Sequence, residues 1–501
     1  MSTHDGKVRG YIDQNINVFK GIPYGSDTAP RRFMKATRPQ PWAGIRETVA
    51  FGPRAPQATL RQPMASSPFP TTEPISEDCL YLNIWTPSLS TQSKLPVMVY
   101  IHGGGYNAGS ANSPGYDGVR LCHRGNVVVV TLNHRLNSFG FLYLSELGGP
   151  EYKDSGNVGM LDLVLALQWI RDNIAQFGGD SQRVLIFGES GGGAKNATLM
   201  GMPSAQGLFQ RACSSSGETV TASRPETATG RARTVLTALG ITGKNIDSIK
   251  TVPMEKLVEV TRATNYYGPV VDGGALPRHP FDPAAPNISA GIPFMVGTNH
   301  DESRLLIGRG NPAMFELTWE TLPANLAKYS EKMGNLNLND VIALYRRLHA
   351  DYSASDVFFG ATTDSRDWRP AVVEIERRAV LPKASAPTYS YQLDWRSPVD
   401  GGKWRACHAL DLPFLFDNVA ISHAMTGESQ DAYWMAEQIS EAYIAFARSG
   451  DPNNAKLPHW PPYGLTKRTT MSFNSESKSI DDPRGDERKL FSQVRYENPG
   501  T

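Results

Sequence analysis

Three short apolar segments, each bounded by polar or glycine-rich residues, are the strongest pattern in the chain. They cover residues 97–101, 127–132 and 184–187 and consist of Val, Leu, Ile, Met, Phe, Tyr and Thr. Such uninterrupted runs are typical of strands that are buried on both faces of a parallel sheet. Before the third run, apolar residues recur every three or four positions, as in an amphipathic helix. These positions are Met160, Val164, Leu167, Ile170, Ile174 and Phe177. The alternation predicts an α/β fold with a central, mostly parallel β-sheet flanked by helices.

The rest of the chain extends this pattern. Further strands are predicted over residues 211–213, 294–296 and 389–393, after strand-and-turn material over residues 7–57. Helical composition is found over residues 220–290, 310–385 and 433–448. Residues 58–76 are rich in Pro, Ser and Thr and predict a surface loop. Because we find no internal repeat, low-complexity tract or long linker, residues 1–501 are predicted to form one domain.

Composition and charge exclude several classes of protein. The 501 residues are 40% hydrophobic and 20% charged, and 50 basic against 49 acidic side chains give a formal net charge of +1. This balance predicts neither nucleic acid nor an anionic membrane as a partner. The N-terminus lacks the apolar core of a secretory signal, and no apolar run reaches the roughly 18 residues that span a bilayer. Four cysteines lie far apart, which predicts free thiols, no metal site and a cytoplasmic location. They are Cys79, Cys122, Cys213 and Cys407.

The third apolar run ends in residues 188–192, G-E-S-G-G, which fit the G-x-S-x-G pattern of a nucleophile elbow. In such an elbow a strand passes sharply into a helix, and the crowded turn favours residues without a Cβ around a strained serine. An apolar strand precedes Ser190, and a helix-compatible segment follows it over residues 194–200. An ordinary glycine-rich turn is the alternative, but this context favours Ser190 as a nucleophile.

A serine nucleophile needs a base that is oriented by an acid, and after an elbow of this kind the acid precedes the histidine in the chain. Asp301 and Glu302 follow the strand predicted over residues 294–296, at the sheet edge where ligands bind. The residues alone leave both carboxylates open, since either could also be a solvated loop residue. His408 is the best candidate base, because it lies where a polar turn meets an apolar segment, but its lead is slight. The other downstream histidines are His279, His300, His349, His423 and His459.

A second glycine-rich motif, H-G-G-G over residues 102–105, directly follows the first predicted strand. In acyl-transfer enzymes the N–H groups of such a loop converge on the oxygen that becomes negatively charged. A phosphate-binding loop is the alternative. It lacks support, because neither the lysine of G-x-x-x-x-G-K-[ST] nor the spacing G-x-G-x-x-G is present.

Taken together, these motifs resemble the type-B carboxylesterase/lipase family of the α/β-hydrolase superfamily, which includes bacterial p-nitrobenzyl esterases. The resemblance extends from about residue 10 to residue 491. Its further motifs are G-I-P-Y at residues 21–24, E-D-C-L-Y-L-N-I at 77–84, N-H-R-L to G-F-L at 133–142, and the serine segment at 177–192. The resemblance implies the α/β-hydrolase fold with helical insertions around an active-site gorge.

The resemblance also assigns roles to individual residues. It implies that Glu302 rather than Asp301 is the triad acid and that His408 is the base. Three N–H groups would form the oxyanion hole, and Ser216 would support the buried acid. The oxyanion donors would be Gly104, Gly105 and Gly191.

Several positions depart from the family pattern. Residue 191 is Gly where alanine is usual, Asp411 stands where Glu is common, and His134 replaces a tyrosine. No cysteine precedes Cys79 to form the first-loop disulfide of secreted animal relatives, which predicts an intracellular bacterial enzyme.

The resemblance predicts a serine carboxylesterase that hydrolyses small to medium esters through an acyl-enzyme. No metal and no organic cofactor is expected, and the protein would be a monomer or a homodimer. An amidase or carbamate hydrolase with the same triad remains an alternative, and a true lipase or a non-catalytic binding protein on the same fold is disfavoured. The candidate pocket residues are Tyr106, Phe358, Phe359, Trp368 and Phe414.

Overall fold

An eleven-stranded β-sheet is the centre of the computed structural model, which describes residues 1–58, 71–264, 266–334, 336–382 and 385–498. The strands within these residues are β1 (Lys7–Arg9), β2 (Tyr11–Asp13), β3 (Ile16–Pro23), β4 (Ile45–Glu47), β5 (Tyr81–Thr86), β6 (Leu95–Ile101), β7 (Val128–Leu132), β8 (Gly179–Glu189), β9 (Arg211–Ser215), β10 (Phe294–Asn299), β11 (Thr388–Leu393), β12 (Thr469–Phe473) and β13 (Lys478–Asp481). Their order in the large sheet is β13-β12-β11-β10-β9-β8-β6-β7-β5-β3-β2, and β1 pairs separately with β4.

The middle of the sheet is parallel. All pairings from β12 to β7 run parallel. The pairings at the two edges are antiparallel. Every residue of β6 and of β7 is buried, as expected for strands covered on both faces. The α/β fold with a mostly parallel sheet is therefore confirmed.

Helices cover both faces of the sheet. They are α1 (Val119–Gly125), α2 (Asn137–Phe141), α3 (Ser145–Gly148), α4 (Val158–Asn173), α5 (Gly191–Met200), α6 (Pro225–Ala238), α7 (Met254–Val260), α8 (Leu322–Ala327), α9 (Ser330–Met333), α10 (Leu338–Leu348), α11 (Ala354–Thr363), α12 (Arg369–Ala379), α13 (Asp411–Leu415), α14 (His423–Thr426), α15 (Gln430–Ser449) and α16 (Gly485–Phe491). Successive side chains of β6 point to opposite faces, and they join different apolar clusters. Val99 packs in the cluster that contains α4, and Tyr100 packs in the cluster that contains α15.

Most predicted elements are present. The strands β6, β7 and β8 confirm the three apolar runs, although β8 begins at Gly179 and is longer than predicted. Helix α4 and the 3₁₀ turn Ile174–Phe177 confirm the helix over residues 160–177. It ends at Gly178, whose φ of +75° is the left-handed conformation that favours glycine at a helix terminus. Helices α8 to α12 confirm the helical region over 310–385.

The helical prediction for residues 220–290 is wrong in its second half. Helices α6 and α7 occupy the first part, but the described residues between 264 and 286 contain no helix. This segment is dense in Pro and Gly, which remove helical hydrogen bonds and favour turns. The strands β5, β12 and β13 were not predicted, because polar residues interrupt their apolar pattern. Of the loop predicted over 58–76, residues 59–70 lie outside the described residues.

The parallel strands bring the predicted chemistry to one edge of the sheet. Strand β6 ends just before His102, β8 ends just before Ser190, and β9 ends just before Ser216. Strand β10 ends three residues before Glu302. Carboxyl ends of neighbouring parallel strands lie side by side, so segments that are distant in sequence meet there.

All four cysteines are buried and free. None of the helices that the structure describes is both long enough and apolar enough to cross a membrane.

Candidate active site

Ser190 lies in a sharp turn between β8 and α5. Its φ of +56° is in the left-handed region, a conformation that costs of order 1–3 kcal/mol for a residue with a side chain. Gly188 and Gly192 flank the serine where the elbow crosses β6. A Cβ on Gly188 would lie 2.6 Å from the carbonyl oxygen of Ile101, and a Cβ on Gly192 would overlap the same oxygen. The close crossing explains why both positions need glycine.

The elbow is held by backbone hydrogen bonds. The N–H of Ser190 donates to the carbonyl of Ser215 at 2.8 Å, which ties the turn to the end of β9. The N–H of Ala194 donates to the Ser190 carbonyl at 3.1 Å and continues the turn into α5. The serine therefore sits at the N-terminus of a ten-residue helix, where the helix dipole favours developing negative charge.

His408 and Glu302 meet although 106 residues separate them. His408 Nδ1 lies 2.6 Å from Glu302 Oε2, and the side chain of Glu302 is fully buried. The other carboxylate oxygen, Glu302 Oε1, accepts hydrogen bonds from the Ser216 hydroxyl at 2.5 Å and from the Asn299 N–H at 2.6 Å. With both oxygens bound, the carboxylate is held in one orientation and in turn orients the imidazole.

Asp301 is engaged elsewhere. Its carboxylate lies 3.3 Å from His300 Nδ1, and 3.4 Å and 3.8 Å from the guanidinium groups of Arg304 and Arg405. Burial alone would raise the pKa of Asp301, but His300 and the two arginines outweigh burial and hold the pKa below its usual range. Of the two carboxylates that the residues left open, the structure brings Glu302 and not Asp301 to His408.

The second imidazole nitrogen faces a residue that the sequence analysis did not single out. His408 Nε2 lies 3.1 Å from Glu189 Oε1, and no hydrogen bond joins His408 to Ser190. Burial alone would lower the pKa of His408, but the charges of Glu189 and Glu302 outweigh burial and raise it. Burial raises the pKa of Glu189 as well, although His408 opposes that change. Because the two groups interact closely, they titrate as a pair.

The H-G-G-G loop packs against the elbow. Gly104 and Gly105 have φ angles of +88° and +61°, which favour glycine. A Cβ on Gly191 would lie 2.5 Å from the N and Cα atoms of Gly105, so the two backbones are in direct contact. The N–H groups of these three glycines donate to no acceptor among the described residues. Three N–H groups beside Ser190 are thus free to bind a ligand oxygen.

A second buried carboxylate, Asp411, lies next to the Glu302–His408 pair. Its oxygens accept a hydrogen bond from the Tyr391 hydroxyl at 3.1 Å, one from the Ser215 hydroxyl and one from the Asn299 amide at 3.4 Å. Burial raises the pKa of Asp411, and the hydrogen bonds from Ser215 and Tyr391 oppose the shift. Sequence showed only that residue 411 is Asp rather than Glu. Its link to Asn299, which also binds Glu302, depends on the fold.

Asp367 is a further carboxylate that sequence reasoning missed. It lies in a π-helical turn, Asp364–Trp368, and its charge contributes to the raised pKa of His408. Burial raises the pKa of Asp367 to about 6, against the opposing charge of Arg366. A π-helical turn within a helix often occurs at a functional site. Nothing in the local sequence indicates such a turn.

The candidate pocket residues have diverse surroundings. Tyr106 follows the H-G-G-G loop and is buried, with its hydroxyl 3.0 Å from Thr219 Oγ1 and its ring packed on Phe141. Phe358 and Phe359 lie in the apolar cluster of the helical region over 307–361, and Phe414 packs on Trp395 in another cluster. Trp368 stacks under the guanidinium of Arg484. These placements favour packing roles for the three phenylalanines, and their contact with substrate stays a prediction.

No group of three or more His, Cys, Asp or Glu side chains in the described ranges is arranged to hold a metal ion.

Comparison with known proteins identifies the family of the chain. The model of the Carboxylesterase family matches residues 1–491. A para-nitrobenzyl esterase of Bacillus subtilis is 34% identical over 98% of both chains, and a phenmedipham hydrolase of Pseudarthrobacter oxydans is 31% identical over 95% of both. A crystal structure of a Geobacillus stearothermophilus carboxylesterase matches with a TM-score of 0.85 and 34% identity, over 98% of this chain and 99% of that one. The chain therefore belongs to the carboxylesterase family and is a carboxylic ester hydrolase.

Proposed function

We propose that this hydrolase cleaves esters by two-step acyl transfer, with Ser190 as nucleophile, His408 as general base and Glu302 as the acid that orients it. His408 takes the proton of the serine hydroxyl while Ser190 attacks the ester carbonyl. The same imidazole then protonates the departing alcohol. In the second step a water molecule attacks the acyl-enzyme, again with His408 as base, and the serine is released.

The N–H groups of Gly104, Gly105 and Gly191 are proposed to bind the oxyanion of each tetrahedral intermediate. They lie against the elbow and have no acceptor among the described residues, so binding costs no existing hydrogen bond. Loss of one such donor typically costs about 3–4 kcal/mol of transition-state stabilisation. Ser216 is proposed to hold Glu302 in place through its 2.5 Å hydrogen bond.

One observation carries the proposal: the 2.6 Å contact between His408 Nδ1 and Glu302 Oε2. It requires Nδ1 to carry the proton, because a carboxylate accepts and does not donate. Nε2 is then the basic nitrogen on the side of the elbow. In the free enzyme it faces Glu189, and we propose that substrate binding brings it to Ser190 Oγ, since catalytic hydrogen bonds often tighten only with substrate bound.

Small to medium carboxylic esters are the proposed substrates. The names of two relatives support the class: a para-nitrobenzyl esterase of Bacillus subtilis and a cocaine esterase of Oryctolagus cuniculus. Amide or carbamate hydrolysis would use the same acyl-enzyme and differ in the leaving group. Rates on p-nitrophenyl esters of graded acyl length, beside matched amides and carbamates, separate these classes.

The triad is tested by substitution. Ser190→Ala is expected to lose ester hydrolysis and labelling by an organophosphate while it keeps its fold, as measured by circular dichroism. Turnover retained by this variant would refute the assignment.

The acid is tested by a matched pair of carboxylates. Glu302→Gln is expected to lower kcat/KM far more than Asp301→Asn, because only Glu302 contacts His408. Equal losses would mean that the acid is wrongly assigned.

From the sequence we further propose that the enzyme acts in a bacterial cytoplasm as a monomer or homodimer. Sedimentation velocity of the purified protein and fractionation of the source cells test these two points.

A further inference from the structure

A lysine is completely buried in the helix that follows the nucleophile. Lys195 lies in α5, five residues after Ser190, and its exposed fraction is 0%. Its ammonium nitrogen donates a hydrogen bond of 2.9 Å to the carbonyl oxygen of His102 and lies 5.6 Å from the centre of the Tyr106 ring. Among the described residues no carboxylate lies within ion-pair distance of it.

This position is unfavourable for a charged side chain. Burial disfavours the charged form of an unpaired ammonium, and it accordingly lowers the pKa of Lys195 to about 7. The titratable neighbours that face it are His102 and His134, and burial lowers the pKa of both, so each is neutral near pH 7. Within the described parts of the chain, no anionic side chain is close enough to compensate the charge. An apolar side chain of the same length would be expected to stabilise the fold.

The acceptor of this hydrogen bond belongs to the first residue of the H-G-G-G loop over residues 102–105. Because its N–H groups are the proposed oxyanion donors, this segment is called the oxyanion loop below. His102 directly precedes Gly103, and its Nδ1 lies 2.8 Å from the Gly103 carbonyl oxygen. Its ring stacks on His134 with centres 5.0 Å apart and planes 19° apart. The ring of His102 is thus fixed by its neighbours, and Lys195 fixes its backbone carbonyl.

The carbonyl of His102 and the N–H of Gly103 belong to one planar peptide unit. A bond to that carbonyl therefore fixes the plane from which Gly104 and Gly105 continue. Glycines have few steric restraints of their own, so the orientation of their N–H groups depends on such anchors. Because Lys195 and Ser190 belong to the same elbow and helix, the bond joins the oxyanion loop to the nucleophile.

We propose that Lys195 is a positioning residue that holds the oxyanion loop in register with Ser190 through the His102 carbonyl. This inference rests on the proposed acyl-transfer function. This role explains why a lysine without a counter-ion occupies the interior. Its long side chain brings a strong hydrogen-bond donor to the His102 carbonyl, to which an apolar side chain could not donate. The hydrogen bond matters most when the oxyanion forms, because the loop donors act on the transition state rather than on the bound ester.

The test is Lys195→Met, which keeps the length of the side chain and removes the donor. We expect kcat to fall by about tenfold to a hundredfold, in the range caused by small misplacements of catalytic groups, while KM changes less than about twofold. The inhibition constant of a trifluoromethyl ketone, which forms a tetrahedral adduct at the serine, is expected to rise by the same factor as kcat falls. The thermal midpoint is expected to be unchanged or higher, which separates positioning from a structural role.

Two further variants complete the experiment. Lys195→Gln retains an N–H donor and is expected to recover part of kcat. Asn196→Leu is the control, because it removes a buried hydrogen bond of 2.8 Å from the same helix to Cys213 and leaves the oxyanion loop untouched. It is expected to lower the thermal midpoint and leave kcat within about twofold.

Wild-type kcat in Lys195→Met would overturn the inference, as would a loss confined to KM or one matched by Asn196→Leu. A wild-type enzyme that hydrolyses esters and is labelled at Ser190 while Lys195→Met keeps full kcat refutes the inference alone. A wild-type enzyme that neither hydrolyses nor is labelled refutes the proposed function and, with it, the role of Lys195.

Discussion

Glu189→Gln is expected to shift the acidic limb of the pH profile to lower pH. The substitution removes a negative charge 3.1 Å from His408 Nε2 and preserves the shape of the side chain. In the proposed mechanism His408 is a base only when it is neutral, so activity is expected to be lost as the pH falls through its pKa. Glu189 raises this pKa. Removing the charge lowers the pKa, and the neutral imidazole then persists at more acidic pH.

The size of the shift follows from Coulomb's law. Two unit charges 3.1 Å apart interact with about 1.3 kcal/mol in water and about 5 kcal/mol at an effective dielectric constant of 20. At about 1.36 kcal/mol per pKa unit, this range corresponds to about one to four units. Because burial also raises the pKa of Glu189, the carboxylate is only partly ionised near neutral pH. We therefore expect the lower end of the range, a shift of about one pH unit.

The assay is kcat/KM for a p-nitrophenyl ester, measured from pH 6 to pH 11 at constant ionic strength, because the pKa of His408 is raised to about 10. This ratio reports the pKa of the free enzyme. Asp367→Asn is expected to shift the limb in the same direction by a smaller amount, because Asp367 contributes less to the pKa of His408. Asp301→Asn is the control. It is expected to leave the acidic limb in place, since Asp301 is paired with His300 and two arginines rather than with His408. A limb that stays in place in Glu189→Gln would refute the reasoning.

Three further predictions concern the elbow, the acid and the core. Gly191→Ala is expected to lower kcat about tenfold or more, because the new Cβ would displace the backbone of Gly105 in the oxyanion loop. A rate equal to that of the wild type would contradict the close packing of these two residues. Ser216→Ala is expected to lower kcat/KM about tenfold, since Glu302 Oε1 loses one of its two donors, and retention of the full rate would show that the Asn299 N–H suffices. Asp162→Ala breaks a buried ion pair of 2.7 Å with Arg135 and is expected to reduce the free energy of unfolding, measured by urea titration, by about 3–5 kcal/mol. A loss below about 1 kcal/mol would contradict the argument from the buried ion pair.

Local pattern was enough to predict the elements around the elbow. Apolar runs mark β6, β7 and β8 because strand segments that are covered on both faces consist mostly of apolar residues. Gly188 and Gly192 of G-E-S-G-G are required by a crossing so close that a Cβ at either position would meet the Ile101 carbonyl. The strands β12 and β13 were not predicted, because polar residues interrupt their apolar pattern and their place in the sheet depends on pairing with a neighbour.

The sequence by itself determined the order of the chemistry: a strained serine, then an acid, then a histidine, with a glycine loop before them. What only the tertiary structure decided is which side chains meet. Asp301 and Glu302 are adjacent in sequence, yet one turns to Arg304 and Arg405 and the other to His408. The same holds for the contact between Glu189 and His408, and for Lys195 beneath the oxyanion loop. Such contacts depend on how strands that are distant in sequence are packed side by side, and the order of residues along the chain does not record which strands become neighbours.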